Sequence, residues 1–137
     1  MTEVTSLDGC VTDHVHPDKV QLVLDNGPSS EEVDRVAALF KLLGDPTRSR
    51  ILYALLEAGE LCVCDIAGST GTLETTVSQS LRLLKAHAVV TGRREGRNVY
   101  YRLSDAHVRM LLDVTREHAT HDHTETTDTT TGKGARR

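Results

Sequence analysis

The chain has 137 residues, a net charge of −4 with histidine neutral, and few aromatic residues: one Phe, three Tyr and no Trp. This length predicts one domain with a modest core, to which aliphatic helices contribute most of the buried surface. The negative net charge excludes a protein that coats nucleic acid over its whole surface, but it allows a local basic face. No stretch approaches the ~20 apolar residues of a membrane span and no secretory signal is recognisable, so we expect a cytoplasmic protein.

Three cysteines, an odd number, favour metal or redox chemistry over a disulfide framework in such a compartment. Residues 1–28 are predicted to form a flexible polar arm that carries one of them. Cys10, His14 and His16 form a dense set of metal-ligand types within this arm. Taken alone, the run is equally typical of a disordered tail. A second cysteine cluster further along the chain favours the interpretation as a ligand-bearing arm.

Residues 29–119 are predicted to form one compact, mainly helical domain. Ser29 and Glu32 have the spacing of a capping box and open a helix with apolar residues at helical intervals. Asp45, followed by proline, is a second N-cap, and the helix that it opens runs to Gly59.

The remaining two cysteines, Cys62 and Cys64, lie one residue apart beside Asp65. Side chains at i and i+2 point about 200° apart on a regular helix, so the pair can share an ion only where the backbone enters or leaves a helix. An unpaired cysteine is most often a small buried residue, but the helical pattern allows at most one of this pair to face a core. The pair is therefore a candidate soft-metal site.

Two short helices around Gly71 indicate a helix-turn-helix, the second running from about residue 74 to 86. Val77, Leu81 and Leu84 form its predicted buried stripe. The outer faces of the second helix carry hydrogen-bonding side chains of the kind that reads base edges. These candidate DNA-contacting residues are Thr75, Thr76, Ser78, Gln79 and Arg82.

The segment that follows is typical of a β-hairpin with a basic tip, predicted to turn at Glu95-Gly96. Arg93, Arg94 and Arg97 are candidate phosphate contacts at this tip. Six basic residues and one Glu lie between Arg82 and Arg102, a local charge of +5 that leaves −9 on the remainder. An acidic chain that concentrates positive charge on one helix and hairpin favours DNA as its partner.

Ser104 or Asp105 is predicted to cap a last helix that ends near Ala119, and residues 120–137 to form a disordered polar tail. His107 and His118 share one face of this helix but lie ~16 Å apart along its axis. An antiparallel partner helix would set Asp105 and His107 of one protomer against His118 and His121 of its partner, as a tetrahedral zinc site requires. This site needs a homodimer.

These residues resemble the ArsR/SmtB family of metal-responsive winged-helix repressors, over roughly residues 30–121. The motifs that carry the resemblance are Leu43-Gly44-Asp45-Pro46-Thr47-Arg48, Glu60-Leu61-Cys62-Val63-Cys64-Asp65, Thr76-Val77-Ser78-Gln79-Ser80-Leu81-Arg82 and Gly96-Arg97-Asn98-Val99-Tyr100-Tyr101. The resemblance implies a homodimeric winged helix-turn-helix, mainly α with a small β-wing, that binds operator DNA and is released by metal.

The resemblance also implies ligand sets. Cys62 and Cys64 match the family's cysteine box, and Cys10 resembles the N-terminal cysteine that completes this site from the partner subunit in cadmium- and lead-sensing members. His14 stands where those members have a second N-terminal cysteine. The residues of the last helix match the family's interchain zinc site: Asp105, His107, His118 and His121. Leu73 departs from the serine that usually caps the recognition helix, so Thr72 is expected to cap it instead.

The sequence therefore predicts a repressor that responds to cadmium, lead or zinc, with no catalytic residues and no small-molecule substrate. Three thiolates favour cadmium or lead, and imidazole also admits zinc. The alternative is a repressor in which Cys62 and Cys64 are oxidised rather than metallated. An enzyme with a Cys/His pair is disfavoured because the sequence has no glycine-rich oxyanion or phosphate loop. The physiological metal and the site that drives release stay open at this level.

Overall fold

The computed structural model describes the backbone of residues 15–135 and the side chains of residues 15–121. The helices are Pro17–Asn26 (α1), Ser30–Leu43 (α2), Pro46–Ala58 (α3), Val63–Thr70 (α4), Glu74–Ala86 (α5) and Ala106–Ala135 (α6). The strands are Leu61–Cys62 (β1), Val90–Glu95 (β2) and Asn98–Leu103 (β3). The predicted fold, mainly α with a small β-wing, is confirmed.

The chain divides into two compact units, Met1–Ala38 and Leu39–Arg137. In the first unit, α1 lies within the stretch that the sequence predicted as a flexible arm. Pro17 at the start of α1 sets a helical φ, and Gln21 donates a hydrogen bond to Asp25 one turn later. The described part of this stretch is thus helical, while the domain boundary near residue 28 stays a prediction.

The predicted helix starts are confirmed by their hydrogen bonds. Ser29 and Glu32 form the reciprocal capping box: the Glu32 N–H donates to Ser29 Oγ over 3.1 Å, and the Ser29 N–H donates to Glu32 Oε1 over 2.8 Å. Asp45 accepts from the Arg48 N–H over 3.0 Å at the start of α3, and Gly59 ends that helix with a positive φ.

The core of the second unit joins α3, α4 and α5 to the sheet. Val77, Leu81 and Leu84, the predicted buried stripe of α5, are fully or almost fully buried. They belong to one apolar cluster whose other members are Leu42, Ile51, Leu52, Leu55, Ile66, Val89, Val90, Leu103 and Leu112. Burying the inner face of α5 against this cluster leaves its polar face outward.

The sheet has the strand order β1-β3-β2, and both pairings are antiparallel. The β2–β3 hairpin was predicted, but its turn lies one residue later than expected: Glu95 pairs with Asn98, so Gly96 and Arg97 form the two-residue turn. Gly96 takes a positive φ of 64°, which favours glycine. The short strand β1, which pairs Cys62 with Tyr100, was not predicted.

The last helix begins where the sequence predicted and ends later. Asp105, rather than Ser104, caps it by accepting from the Val108 N–H over 3.0 Å. The backbone continues as helix to Ala135 instead of ending near Ala119, and no proline lies between these two residues to interrupt it. A separate polar segment over residues 120–137 stays a prediction. Across the described residues, no helix combines the length and apolar character that crossing a membrane requires.

Candidate metal and DNA-binding site

Cys62 and Cys64 lie where a strand becomes a helix, as their spacing required. Cys62 is the last residue of β1 and the N-cap of α4, with an extended backbone (φ −88°, ψ 173°). Cys64 lies in the first turn of α4 and is exposed, whereas Cys62 is partly buried. Both are free thiols. Neither belongs to the apolar core, which removes the interpretation as small buried residues.

Each thiol contacts a carboxylate. Cys62 Sγ lies 3.4 Å from Asp65 Oδ2 within α4, and Cys64 Sγ lies 3.5 Å from Glu74 Oε2 at the start of α5. The hydrogen bond to Glu74, reinforced by the negative charge of that carboxylate, raises the pKa of the Cys64 thiol. The metal-free thiol therefore stays protonated at neutral pH, and a thiophilic metal must replace its proton to bind.

The donor set fits a soft or borderline divalent metal, because two exposed or partly exposed thiols stand beside two carboxylates. Among the described side chains, no three His, Cys, Asp or Glu residues gather closely enough to hold an ion by themselves. Cys10 and His14, the predicted arm ligands, lie outside the described residues. The described residues of one chain therefore provide only part of a metal site at the cysteine pair.

The predicted zinc ligands of the last helix lie far apart within one chain. Asp105 and His107 are close, with Asp105 Oδ2 3.9 Å from His107 Nδ1, while Asp105 Oδ1 caps the helix. His118 and His121 lie about three turns further along, and all four side chains are exposed. One chain does not bring the two pairs together, so a shared site depends on a second copy.

The outer face of α5 gathers most of the predicted DNA-contacting residues. Thr75, Ser78, Gln79 and Arg82 are exposed and, with Glu74, line a shallow depression of about 350 Å³. Thr76 is partly buried and does not line it. The N-cap of the helix is Leu73, whose side chain makes no capping hydrogen bond. Thr72 does not replace it, since its hydroxyl donates to the Thr70 carbonyl.

The three predicted arginines of the wing differ in their surroundings. Arg93 donates two hydrogen bonds of 2.8 Å to Glu60 and one of 2.8 Å to Glu95, and it lies over the Tyr100 ring at 5.2 Å. These hydrogen bonds, together with the Arg93 charge, lower the pKa of the Glu60 carboxyl. Arg94 and Arg97 are exposed near the hairpin tip.

Sequence reasoning missed Glu60 and Glu74 as members of the site. Glu60 lies two residues before Cys62 and holds the wing through Arg93. Glu74 opens the recognition helix and contacts the other cysteine. A carboxylate at the first helical position usually means only a favourable interaction with the helix dipole, so no signal in the sequence set Glu74 apart.

Apolar residues of α6 remain exposed in the single chain. Met110 and Val114, four residues apart and so on one face, are 62% and 60% exposed. Tyr53 holds the same helix against α3 by donating to the Leu112 carbonyl over 2.8 Å. The contact between α3 and α6 therefore leaves this apolar face of α6 uncovered.

Comparison with known proteins places these features in context. Residues 45–90 match the profile described as "Bacterial regulatory protein, arsR family". The chain is 42% identical over 106 residues to a cadmium resistance transcriptional regulatory protein CadC homolog of Staphylococcus aureus, covering 77% of this chain and 87% of that one. It is 40% identical over 104 residues to a transcriptional repressor SmtB homolog of Synechocystis sp., covering 76% and 78%.

Solved structures agree with the fold. The chain matches the homodimeric winged helix-turn-helix DNA-binding domain of a Mycobacterium bovis protein with a TM-score of 0.63 and 35% identity, over 73% of this chain and 94% of that one.

Proposed function

The chain belongs to the ArsR family of bacterial regulatory proteins, and from this premise we propose that it is a cytoplasmic repressor released from its operator by cadmium, lead or zinc. As a member of that family it is a DNA-binding regulator rather than an enzyme. The protein binds DNA as a homodimer, since a matching DNA-binding domain is homodimeric and α6 leaves Met110 and Val114 exposed.

One observation supports the proposal most directly: each cysteine contacts one of the two DNA-reading elements, the wing or the recognition helix α5. Cys62 pairs through its backbone with Tyr100 of the wing strand β3, and Cys64 contacts Glu74 at the start of α5. A change of ligation at either thiol therefore acts directly on the orientation of the hairpin or of the recognition helix. A cysteine pair with a purely structural role has no need of one exposed and one partly exposed thiol at this junction.

The metal class follows from the ligands. Two thiolates from Cys62 and Cys64, with Cys10 and His14 of the partner subunit, favour cadmium or lead and admit zinc. The relative that is named for cadmium resistance supports cadmium among these metals. Asp105 and His107, with the partner's His118 and the partner's His121, form a harder second site suited to zinc.

Release follows from dimer geometry. Two recognition helices bind successive major grooves only when their spacing matches the separation of the half-sites. When Cys62 and Cys64 are ligated together with the partner's arm, the wing and α5 are held in a geometry that no longer fits both grooves. A coupling free energy of about 1–3 kcal/mol, typical of allostery, weakens operator binding about 5- to 150-fold.

The test is a titration of the reduced full-length protein on labelled DNA from upstream of its own gene, followed by fluorescence anisotropy and by thiolate-to-metal absorption. Loss of DNA binding in step with thiolate absorption supports the cysteine site as the sensor. Release by zinc without a thiolate signal assigns sensing to the histidine site.

The same titration also tests the alternative in which Cys62 and Cys64 are oxidised rather than bound to metal. If cadmium and lead have no effect under strong reductant, while an oxidant releases the DNA reversibly, then the cysteine pair is an oxidation sensor and the metal proposal is wrong.

A further inference from the structure

Glu74 belongs at once to the recognition helix and to the surroundings of the cysteine pair. It is the first residue of α5, and its carboxylate lines the same depression as Thr75, Ser78, Gln79 and Arg82. Its Oε2 lies 3.5 Å from Cys64 Sγ, ten residues earlier in the chain. A carboxylate on a face that approaches DNA phosphates weakens binding by repulsion between like charges, so its position there calls for an explanation.

The Cys64–Glu74 distance suits ligation of one metal ion. A tetrahedral zinc ion with bonds of ~2.3 Å to sulfur and ~2.0 Å to oxygen holds these two ligands about 3.5 Å apart. The 3.5 Å hydrogen bond of the metal-free thiol therefore places both atoms at the separation that zinc ligation requires, and a larger ion such as cadmium needs them somewhat further apart. Cys62 Sγ and Asp65 Oδ2, 3.4 Å apart, form a second thiol–carboxylate pair with a similar separation.

The Cys64–Glu74 contact joins α4 to α5. The N-cap of α5 makes no side-chain hydrogen bond, and Glu74 does not take over that role because its carboxylate is directed to Cys64. The hydrogen bond thus has its donor, Cys64, on α4 and its acceptor, Glu74, on α5. It spans the turn that separates the two helices of the DNA-binding motif. A bond at this place constrains the angle between them.

We propose that Glu74 is an oxygen ligand of the sensed metal, shared with Cys64, so that the recognition helix itself contributes to the metal site. This inference rests on the proposed metal-sensing function and specifies its regulation. On ligation the Cys64 thiol loses its proton to solvent, and the hydrogen bond to Glu74 is exchanged for two bonds to one ion. The first turn of α5 is then fixed to α4, and Thr75 and Ser78 are held with it.

The test uses the full-length reduced protein with cadmium as the probe and two substitutions of Glu74. Glu74→Gln removes the charged ligand, and we expect the cadmium Kd, measured by chelator competition, to rise about 10- to 100-fold, the range found for supporting residues of metal sites. Glu74→Cys replaces oxygen by sulfur, and we expect thiolate-to-cadmium absorption per ion to increase by the contribution of one further thiolate bond.

The matched control is Glu31, an exposed glutamate in the first turn of α2. Glu31→Gln should leave the cadmium Kd unchanged, and Glu31→Cys should leave the absorption per bound ion unchanged. Metal-free Glu74→Gln should bind the operator at least as tightly as the wild type, because a negative charge is removed from the DNA-facing surface; this measurement also reports that α5 is folded.

The outcomes separate the inference from the function on which it rests. If Glu74→Gln binds cadmium as the Glu31→Gln control does and Glu74→Cys adds no absorption, while wild-type protein is still released from DNA by cadmium, then Glu74 is not a ligand and the sensing function stands. If wild-type protein shows no thiolate absorption with cadmium, the inference and the cysteine pair as the sensor are both overturned, and only zinc sensing at the histidine site is left of the proposed function.

Discussion

The two candidate metal sites differ in how they are connected to the DNA-reading elements. The thiols of Cys62 and Cys64 lie at a junction where the wing sheet, α4 and α5 meet, within one chain. The histidines of α6 are spread along one exposed helix surface, where Asp105 Oδ2 lies 3.9 Å from His107 Nδ1 while His118 and His121 lie about three turns away. The cysteine site can therefore change the orientation of a reading element inside one protomer, whereas the histidine site can act only by changing how two protomers associate.

The largest expected effect comes from separating the protomers. Combining Met110→Glu with Val114→Glu places charges on the exposed apolar face of α6, and we expect a monomer by analytical ultracentrifugation. Losing one of two linked half-site contacts lowers operator affinity by about 10²- to 10⁴-fold, the range of avidity for linked sites. Zinc binding at the histidine site should disappear, while cadmium should still give absorption from Cys62 and Cys64.

The control for this pair is the conservative combination Met110→Leu with Val114→Ile, which keeps the face apolar and should remain dimeric. A Met110→Glu, Val114→Glu protein that stays dimeric and keeps its zinc affinity would show that protomers associate through another surface.

Substituting one thiol should remove the cadmium response. In the wild-type protein we expect cadmium to weaken operator binding about 5- to 150-fold. In Cys64→Ser we expect cadmium to leave operator binding unchanged, because a hydroxyl does not replace a thiolate as a soft-metal ligand. Anisotropy with and without cadmium measures this change, and metal-free operator affinity reports the integrity of α5. Cadmium-driven release at wild-type concentrations in this variant would exclude the cysteine pair as the sensor.

A smaller, metal-selective effect is expected for His118→Ala. Losing one imidazole should weaken zinc binding at least about tenfold, since each of four ligands is required in a closed tetrahedral site. Cadmium binding and cadmium-driven release should be unchanged, because they depend on Cys62 and Cys64. Isothermal titration with each metal separates the two sites, and equal losses for both metals would mean that the sites are one.

The smallest effects are expected in the wing. Arg97→Ala should reduce the slope of log K against log salt by about 1, as expected for one lost phosphate contact. Arg93→Ala should change this slope less, because Arg93 is already paired with Glu60 and Glu95. A larger loss of slope for Arg93 than for Arg97 would show that the ion pair opens when DNA binds.

Local chemistry made a large part of the fold predictable. The capping box at Ser29, the N-cap at Asp45 and the bounds of α5 follow from interactions within one turn of helix, which the sequence displays directly. The position of Cys62 and Cys64 at the end of a helix, here the start of α4, followed from their spacing of two. The predicted end of α6 near Ala119 is too early, because a change to polar composition without a helix-breaking residue does not end a helix.

The sequence by itself determined which residues are candidates to bind metal or DNA, since thiols, imidazoles and arginines are recognisable by type and spacing. Only the tertiary structure decided which of them meet. Glu74 reaches Cys64 across ten residues, and Glu60 reaches Arg93 across thirty-three. Such contacts depend on the angle between α4 and α5 and on the pairing of the two-residue strand β1 with β3. Packing of the shared core sets both, and no local pattern of residues encodes them.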